Sequence, residues 1–403
     1  MTIAAPLALD PSPSGRIAGL DVLRGLAVAG IALLNVIAFA MPGPAYFNPR
    51  AYGAENGLDY ALYGAVFVLV EDKFRTLFAM LFGVGVAILW QRGRGWGGHL
   101  ARMVALLAIG VVHATVLASN DVLRLYALTG LVLPLFLRLG PRWLLGLSVA
   151  ISVATFVVLA LVARHYLIAS VPAVPDGSWL IVPEAEARFG PYPPAIEASL
   201  EMGRESFGER IERRLTTLAA PLVLALGALP LTLSHALLGI ALWRFGLLRG
   251  TWSRRASLRL AGLCAAVAVP ALLALAIWNA RADFAAVVVG ANALAFSLPF
   301  DTLLAVAWAA LAVALAGNAR GSFARMLAAA GRLSLTNYLG TSVIFAAIFA
   351  QWGLGLFGEV GRSQAYAIAL VPVTAMLALS PLWLARFGQG PAERIWRRLA
   401  GQA

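Results

Sequence analysis

The sequence predicts an all-α polytopic membrane protein with about ten transmembrane helices, and two observations carry that expectation. Hydrophobic residues make up 61% of the 403, charged residues only 12%, and the mean hydropathy is +0.83. The apolar residues also gather into runs of about 20, the length that crosses a bilayer as a helix. The formal charge of +12 is dispersed in the turns between those runs rather than concentrated in one patch. That distribution fits positive-inside topology and excludes a nucleic-acid partner.

In chain order, residues 1–17 read as a loose cytoplasmic tail. The first span runs from Ala18 to Met41 and carries three residues that are costly in a bilayer, Asp21, Arg24 and Asn35. Ala38-Phe39-Ala40 resembles a cleavage site, but the apolar part is longer than a signal sequence and contains Asn35, so the segment reads as an uncleaved helix. Three prolines and three glycines in MPGPAYFNPRAYGAENG then break it. Leu58–Val70 is too short to cross alone and reads as a re-entrant or interfacial segment. Further spans follow at 74–90, 103–117, 122–137 and 143–162, with QRGRGWGGHLAR as a basic turn. Residues 164–214 form the one long polar loop. Its second half, IEASLEMGRESFGERIERRL, has the spacing of one amphipathic surface helix. The sixth span, 215–248, reads as one long helix kinked near Pro230. The last four lie at 260–278, 295–315, 333–352 and 365–387. Residues 279–284 are read as a short turn and Arg320–Arg332 as a basic connection. Residues 18–387 thus form a single transmembrane domain, and 388–403 a short basic cytoplasmic tail.

About ten spans place both termini on one side. Every short arginine-rich turn then falls on that side and most acids on the other, which puts the termini in the cytoplasm and the 164–214 loop outside. No internal repeat is visible, which counts against an inverted-repeat transporter. The single cysteine, Cys264, lies in an apolar run. No zinc pattern, phosphate loop, dinucleotide fingerprint or nucleophile elbow occurs, and no metal is expected.

Depth then sorts the polar residues into two levels. The inner one holds Asp21, Arg24, Arg332 and Asn337. The outer one holds Asn35, Glu71, Asp72, Lys73, Arg75, His113, Asp121, Arg124 and Asp301. His113 beside Asp121 is the arrangement of a general base oriented by a carboxylate; the alternative is a buried histidine bonded to a neighbouring helix. Asp21–Arg24, Glu71–Arg75 and Asp121–Arg124 read equally as structural pairs or helix caps. His235 has no carboxylate near it in sequence and reads as structural. His99 and His165 read as solvated residues of a turn and a loop.

At these positions the chain resembles a known family. GLDVLRGLAVAGIALLNVIAF, KFRTLFAMLFGVGVAIL, GVVHATVLASNDVLRLYALTGL, HALLGIALWRFGLL, GRLSLTNYLGTSVI and RFGQGPAERIWRRL together are similar to the YeiB family, catalogued as domain of unknown function 418. That family is grouped with transmembrane acyltransferases such as the lysosomal heparan-α-glucosaminide N-acetyltransferase. The grouping implies a ten-helix core that passes an acyl group from cytoplasmic acyl-CoA to an acceptor on the other side. The resemblance implies His113, Asp121 and Asn35 as catalytic residues, and Arg24, Asp21, Arg332 and Asn337 as the acyl-CoA site. Glu71, Asp72, Lys73, Arg75, Arg124 and Asp301 would then meet the acceptor. One departure stands out. In the lysosomal relative the proposed catalytic histidine follows the first helix, whereas residues 42–73 here hold none.

The expectation is therefore an acyl-CoA-dependent O- or N-acyltransferase of a bacterial inner membrane. Its partners would be the bilayer and an extracytoplasmic glycan or small-molecule acceptor, with oligomerisation open. A transporter or lipid flippase, whose path the same polar residues would line, is the alternative; a non-catalytic scaffold is a third.

Overall fold

The computed structural model describes residues 18–93, 95–118, 120–169, 183–217, 219–316 and 321–401. Every regular element among them is helical. Helix α1 (Ala18–Ala40) ends where Pro42 and Pro44, which lack an N–H, start a 3₁₀ turn at Gly43–Tyr46. Helix α2 (Gly57–Leu69) opens on a capping box. The Asn56 side chain accepts from the Leu58 and Asp59 N–H groups, and the Asp59 carboxylate accepts from Asn56 N–H. Asp72, left-handed at φ 58°, lets the chain change direction into α3 (Lys73–Gln91).

Beyond these lie α4 (Gly95–Val116), α5 (Leu123–Val132, prolonged as a 3₁₀ turn to Phe136) and α6 (Pro141–Ala169). The polar loop carries α7 (Pro183–Phe189), α8 (Pro193–Gly203) and α9 (Phe207–Thr216). Then come α10 (Ala219–Arg244), α11 (Arg254–Arg281) and α12 (Ala286–Ala291), which passes through a π turn (Asn292–Phe296) into α13 (Leu298–Ala316). The chain closes with α14 (Ser322–Arg332), α15 (Ser334–Phe349), α16 (Arg362–Phe387) and α17 (Pro391–Leu399).

Among the described residues, eight helical runs are long and apolar enough to cross a membrane: α1, α2 with α3, α4, α6, α10, α11, α13 and α16. Helices α5 and α15 and the α12 segment are shorter apolar helices. The chain is a multi-pass helical membrane protein. Each of the expected spans falls on a helix, α5 and α15 being the two that are short. Only 6% of the most apolar stretch of α6 and 17% of that of α11 is buried, against 61% for α1, α10 and α13, so α6 and α11 form the rim and the other three the middle. Helix α1 packs on α3, α13, α14, α15 and α16, α10 on α3 and α6, and α4 on α5, α9 and α17.

Several boundaries differ from the sequence reading, each for a local reason. The basic connection before residue 332 is the helix α14, not a turn. Its apolar Leu327, Ala329, Ala330 and Gly331 are buried against α1 while Arg325 is exposed (Arg320 lies outside the described residues). The segment 285–296, left between two spans, is helix α12 and its π turn; a run this short carries no transmembrane signal. The single amphipathic helix expected in the polar loop is two, broken after Gly203 and restarted by a Ser206–Glu209 capping box. Most of the basic turn before Met103 is the first turns of α4. His99 there is buried, not solvated, with Nε2 2.8 Å from Gly130 O of α5. The tail after 388 is largely the helix α17.

Candidate functional site: a cavity from five arginines to a His–Asp pair

Two glycines seat the first polar level. A Cβ at Gly331 would lie 1.8 Å from Asp21 O, and one at Gly25 would lie 2.0 Å from Leu327 O, so α1 and α14 touch backbone to backbone. That contact fixes Asp21, whose carboxylate accepts from Arg24 Nη1 at 3.0 Å, next to Arg332 at the end of α14. Arg332 Nη2 reaches Gly388 O at 3.4 Å, where the chain turns into α17. Helix α15 has no side-chain cap of its own; Glu393 of α17 supplies one. The Glu393 carboxylate accepts from Leu335 N–H at 2.8 Å, Thr336 N–H at 3.2 Å and the Thr336 hydroxyl at 2.5 Å. Trp396 Nε1 donates to Arg102 O at 3.0 Å, and the Arg102 guanidinium lies over its ring. Helix α17 is thus bolted across the ends of α4 and α15.

These groups surround the mouth of a cavity of about 440 Å³, within the range of small-molecule sites. Arg24, Arg92, Arg102, Arg332 and Arg397 line it there, with Asp21 and Glu393 as the acids. Its walls then become apolar at Phe78, Leu81, Phe82, Met103 and Leu106, and it ends against Val122, Tyr126 and Tyr338. Both Asp21 and Ile31 of α1 line it, so it runs about 15 Å along the helix axes.

Behind Tyr338 lies the histidine. His113 Nδ1 is 2.9 Å from Asp121 Oδ1, and Tyr338 donates its hydroxyl to the same oxygen at 3.5 Å. The other Asp121 oxygen accepts from Arg124 N–H at 2.9 Å and faces Arg124 Nε at 3.5 Å. Gly110 makes this possible: a Cβ there would lie 2.9 Å from Asp121 Oδ2 and 2.8 Å from Arg124 N. His113 is only 2% exposed, and among the described residues its Nε2 has no hydrogen-bond partner. Its ring centroid is 5.1 Å from that of Tyr338, which is the side chain of this group that reaches the cavity.

Over the same end of α4, Arg214 of α9 donates Nη1 to Ala114 O and Thr115 O at 3.2 Å each, placing a cation at a helix C-terminus. Burial, followed by Arg210 and Arg213, pushes the Arg214 pKa down to about 10.

The remaining outer-level residues form separate groups. Lys73 Nζ is 2.7 Å from Asp301 Oδ1 and also donates to Phe67 O; both side chains are almost fully buried. Glu71 is buried in the segment just before Lys73. Arg75 Nη2 pairs with Asp72 at 2.8 Å. One link joins this region to the cavity: Tyr126 donates its hydroxyl to Arg75 O at 3.3 Å. Asn35 is half-buried on α1, and among the described residues no hydrogen bond joins it to His113. Asn337 Nδ2 donates to Ala330 O at 2.9 Å and Ser380 Oγ at 3.1 Å, which ties α14, α15 and α16 together rather than lining the cavity. His235 Nε2 is 3.1 Å from Thr302 Oγ1.

Sequence reasoning passed over Tyr126, Tyr338, Glu393 and Arg397. The two tyrosines carried a usable signal, because a hydroxyl inside an apolar span needs a partner. Glu393 carried one as well, as the lone acid in an otherwise basic tail.

The family model described as "Protein of unknown function (DUF418)" matches residues 242–402. The "Uncharacterized protein YeiB" of Escherichia coli (strain K12) is 31% identical over 397 residues, covering 95% of this chain and 96% of that protein. The "Uncharacterized protein YxaH" of Bacillus subtilis (strain 168) is 26% identical, covering 95% and 93%. An "Uncharacterized 39.9 kDa protein in amylase 3'region" of Bacillus acidopullulyticus is 31% identical over a third of this chain (33%) and 36% of its own length. No solved structure matches. With nearly the whole length of both proteins aligned at that identity, the chain belongs to the YeiB family, the membrane proteins described as DUF418.

Proposed function

We propose that the protein is a transmembrane acyltransferase of the bacterial inner membrane, with both termini in the cytoplasm. It would move an acyl group from cytoplasmic acyl-CoA to a hydroxyl or amine acceptor on the far side. One observation carries the reading: a single cavity leads from a cluster of arginines, through apolar walls, to the tyrosine hydrogen-bonded to Asp121, which in turn holds His113. Arginine fork geometry matches phosphate oxygens, so Arg24, Arg92, Arg102, Arg332 and Arg397 suit the CoA phosphates. The apolar middle suits the pantetheine arm and acyl chain, and brings the thioester to Tyr338.

In this scheme the Tyr338 hydroxyl donates to the thioester oxygen, where negative charge grows on attack. Asp121 holds the His113 proton on Nδ1, which leaves Nε2 with its lone pair to take the acceptor's proton. The acceptor oxygen or nitrogen forms a bond to the acyl carbon as the carbon–sulfur bond breaks. The thiolate that leaves recovers the proton as free CoA. Asn35, placed apart from His113, has no step in it.

The test is His113→Ala in the purified full-length chain with radiolabelled acetyl-CoA. Acyl transfer or acyl-CoA hydrolysis is expected to fall by ~10²-fold or more with acyl-CoA binding unchanged, while thermal unfolding drops because Asp121 loses a buried partner. Undiminished turnover in that variant overturns the mechanism. A second reading, transporter or flippase, draws on the helix interrupted at Asn292–Phe296, since broken helices line transport paths. Substrate uptake by liposomes lacking any acyl-CoA would establish it instead.

A further inference from the structure

A second, much smaller recess lies on the other side of the cavity's closed end. It has a volume of about 30 Å³ between α3, α5 and α10, with Arg75, Thr232, His235 and Tyr126 among its lining groups. Val122 and Tyr126 line both spaces, so the wall between them is one side chain thick. Tyr126 forms much of that wall. Its ring stacks on Phe78 and Phe82 with centroids 5.6 Å and 5.2 Å away, and its hydroxyl is bonded to Arg75 O.

The exposed Ala228 of α10 lines the recess, on a flank where the neighbouring Leu226 is 57% exposed. Arg75 stands 17 positions before Arg92 on α3, about 25 Å along the axis from the arginine mouth. Its side chain is 48% exposed although its helix is apolar enough to cross the membrane. A half-exposed guanidinium there is expensive unless an anion meets it, and Asp72 faces one of its nitrogens. Inward of Arg75 the donors and acceptors are Thr232, whose hydroxyl donates to Ala228 O, and His235, bonded to Thr302. The titratable groups lining this recess are therefore Arg75, His235 and Tyr126, with Asp72 paired to Arg75.

We propose that this recess receives the acceptor, and that the acceptor is membrane-borne and anionic. A phosphate or carboxylate would pair with Arg75 at the rim, its apolar tail would stay in lipid beside α5 and α10, and its reactive end would rest against Tyr126, whose side chain must turn aside before that end meets the thioester and His113. This rests on the acyltransferase reading for the chemistry, but the binding it specifies does not. A volume near 30 Å³ admits one polar group and no sugar ring, which selects a small hydroxyl or amine carried on an anchored headgroup. Lateral access also explains why Arg75 sits at the rim rather than inside: the charge stays at the level of the lipid phosphates.

The experiment measures binding to the full-length protein in zwitterionic detergent, by native mass spectrometry and thermal shift, with no acyl-CoA present. The probes are dioctanoyl-phosphatidylglycerol, dioctanoyl-phosphatidylcholine and inorganic phosphate. Preferential binding of the anionic lipid is expected, weakened by ~10-fold or more in Arg75→Gln and restored largely by Arg75→Lys. Ala228→Trp, which fills the opening without touching Arg75, is expected to weaken it as well. Equal binding of both lipids, or an Arg75→Gln variant that binds the anionic lipid as the parent does, overturns the proposal. Binding of inorganic phosphate alone with the same Arg75 dependence overturns the membrane-borne source. If the lipid binds as expected but no acyl transfer is found, the acyltransferase reading fails and the lipid site stands.

Discussion

The two ends of the bundle handle charge in opposite ways. At the mouth, five arginines and two acids line one cavity, and of those acids Glu393 is spent on the first turn of α15. Positive charge is in excess around an open space. At the far end the buried charges come in matched sets: Lys73 with Asp301, and His113 and Arg124 with Asp121. Arg362, also buried, donates to Ala45 O and lies over the Tyr63 ring. Excess charge around solvent-sized space is what an anionic ligand needs, whereas matched buried charge holds groups in one geometry. The contrast separates binding from positioning, and each half can be broken on its own.

The largest effect belongs to the far end. Lys73→Ala removes one partner of a pair whose two side chains are 1% and 4% exposed, stranding the Asp301 carboxylate. Such a change costs ~3–5 kcal/mol, because the remaining ion keeps its desolvation penalty with nothing to offset it. Thermal unfolding in detergent should show a severe loss. The double variant Lys73→Met with Asp301→Leu should recover most of it, since both charges then leave together. If the single variant unfolds like the parent, the matched-charge account of that end is wrong.

A smaller effect, on affinity alone, is expected at the mouth. Arg397 is exposed on α17, and its guanidinium reaches Gln389 Oε1 at only 3.4 Å, so little of the fold depends on it. Arg397→Ala should weaken acyl-CoA binding by ~10-fold, the worth of one charge-assisted contact, with the unfolding temperature unchanged. The loss should shrink as salt rises, because exposed charges are screened. Calorimetric titration at two ionic strengths reads both. An unchanged affinity at low salt removes Arg397 from the ligand's reach.

How much of this contrast was legible beforehand differs between the ends. Apolar run length gave the crossing helices, because a bilayer sets one length for all of them. It failed at α12 and α14, whose signals are short or amphipathic and whose partners, α7 and α1, are distant in sequence. Asp21–Arg24 and His113–Asp121 were readable because both pairs are local. Lys73–Asp301 joins residues far apart in the chain, and the role of Tyr338 depends on how α15 lies against α4 and α5. Sequence depth grouped Asn35 with His113, yet equal depth on two helices says nothing about which faces meet. The cavity itself is a property of packing: Gly85 lies beside Arg24 and Gly331 beside Asp21, contacts between helices distant in sequence.

At the far end Glu186 breaks that rule, and it yields the smallest expected effect. Glu186 of α7 is half-buried beside the α12 cluster, its pKa is raised by burial, and among the described residues no cation pairs with it. A carboxyl whose folded-state pKa lies above its unfolded value favours folding while both states are protonated, and that contribution is lost as pH rises through the folded pKa. Glu186→Gln is neutral at every pH and keeps the shape. The variant should therefore match the parent below about pH 4, near the unfolded value for glutamate, and become slightly more stable than it above the raised pKa. Thermal unfolding of both proteins across pH 4 to 8 measures the difference. A gain that is largest in acid, or a variant less stable at neutral pH, would mean that Glu186 has a cationic partner after all and that the far end is matched throughout.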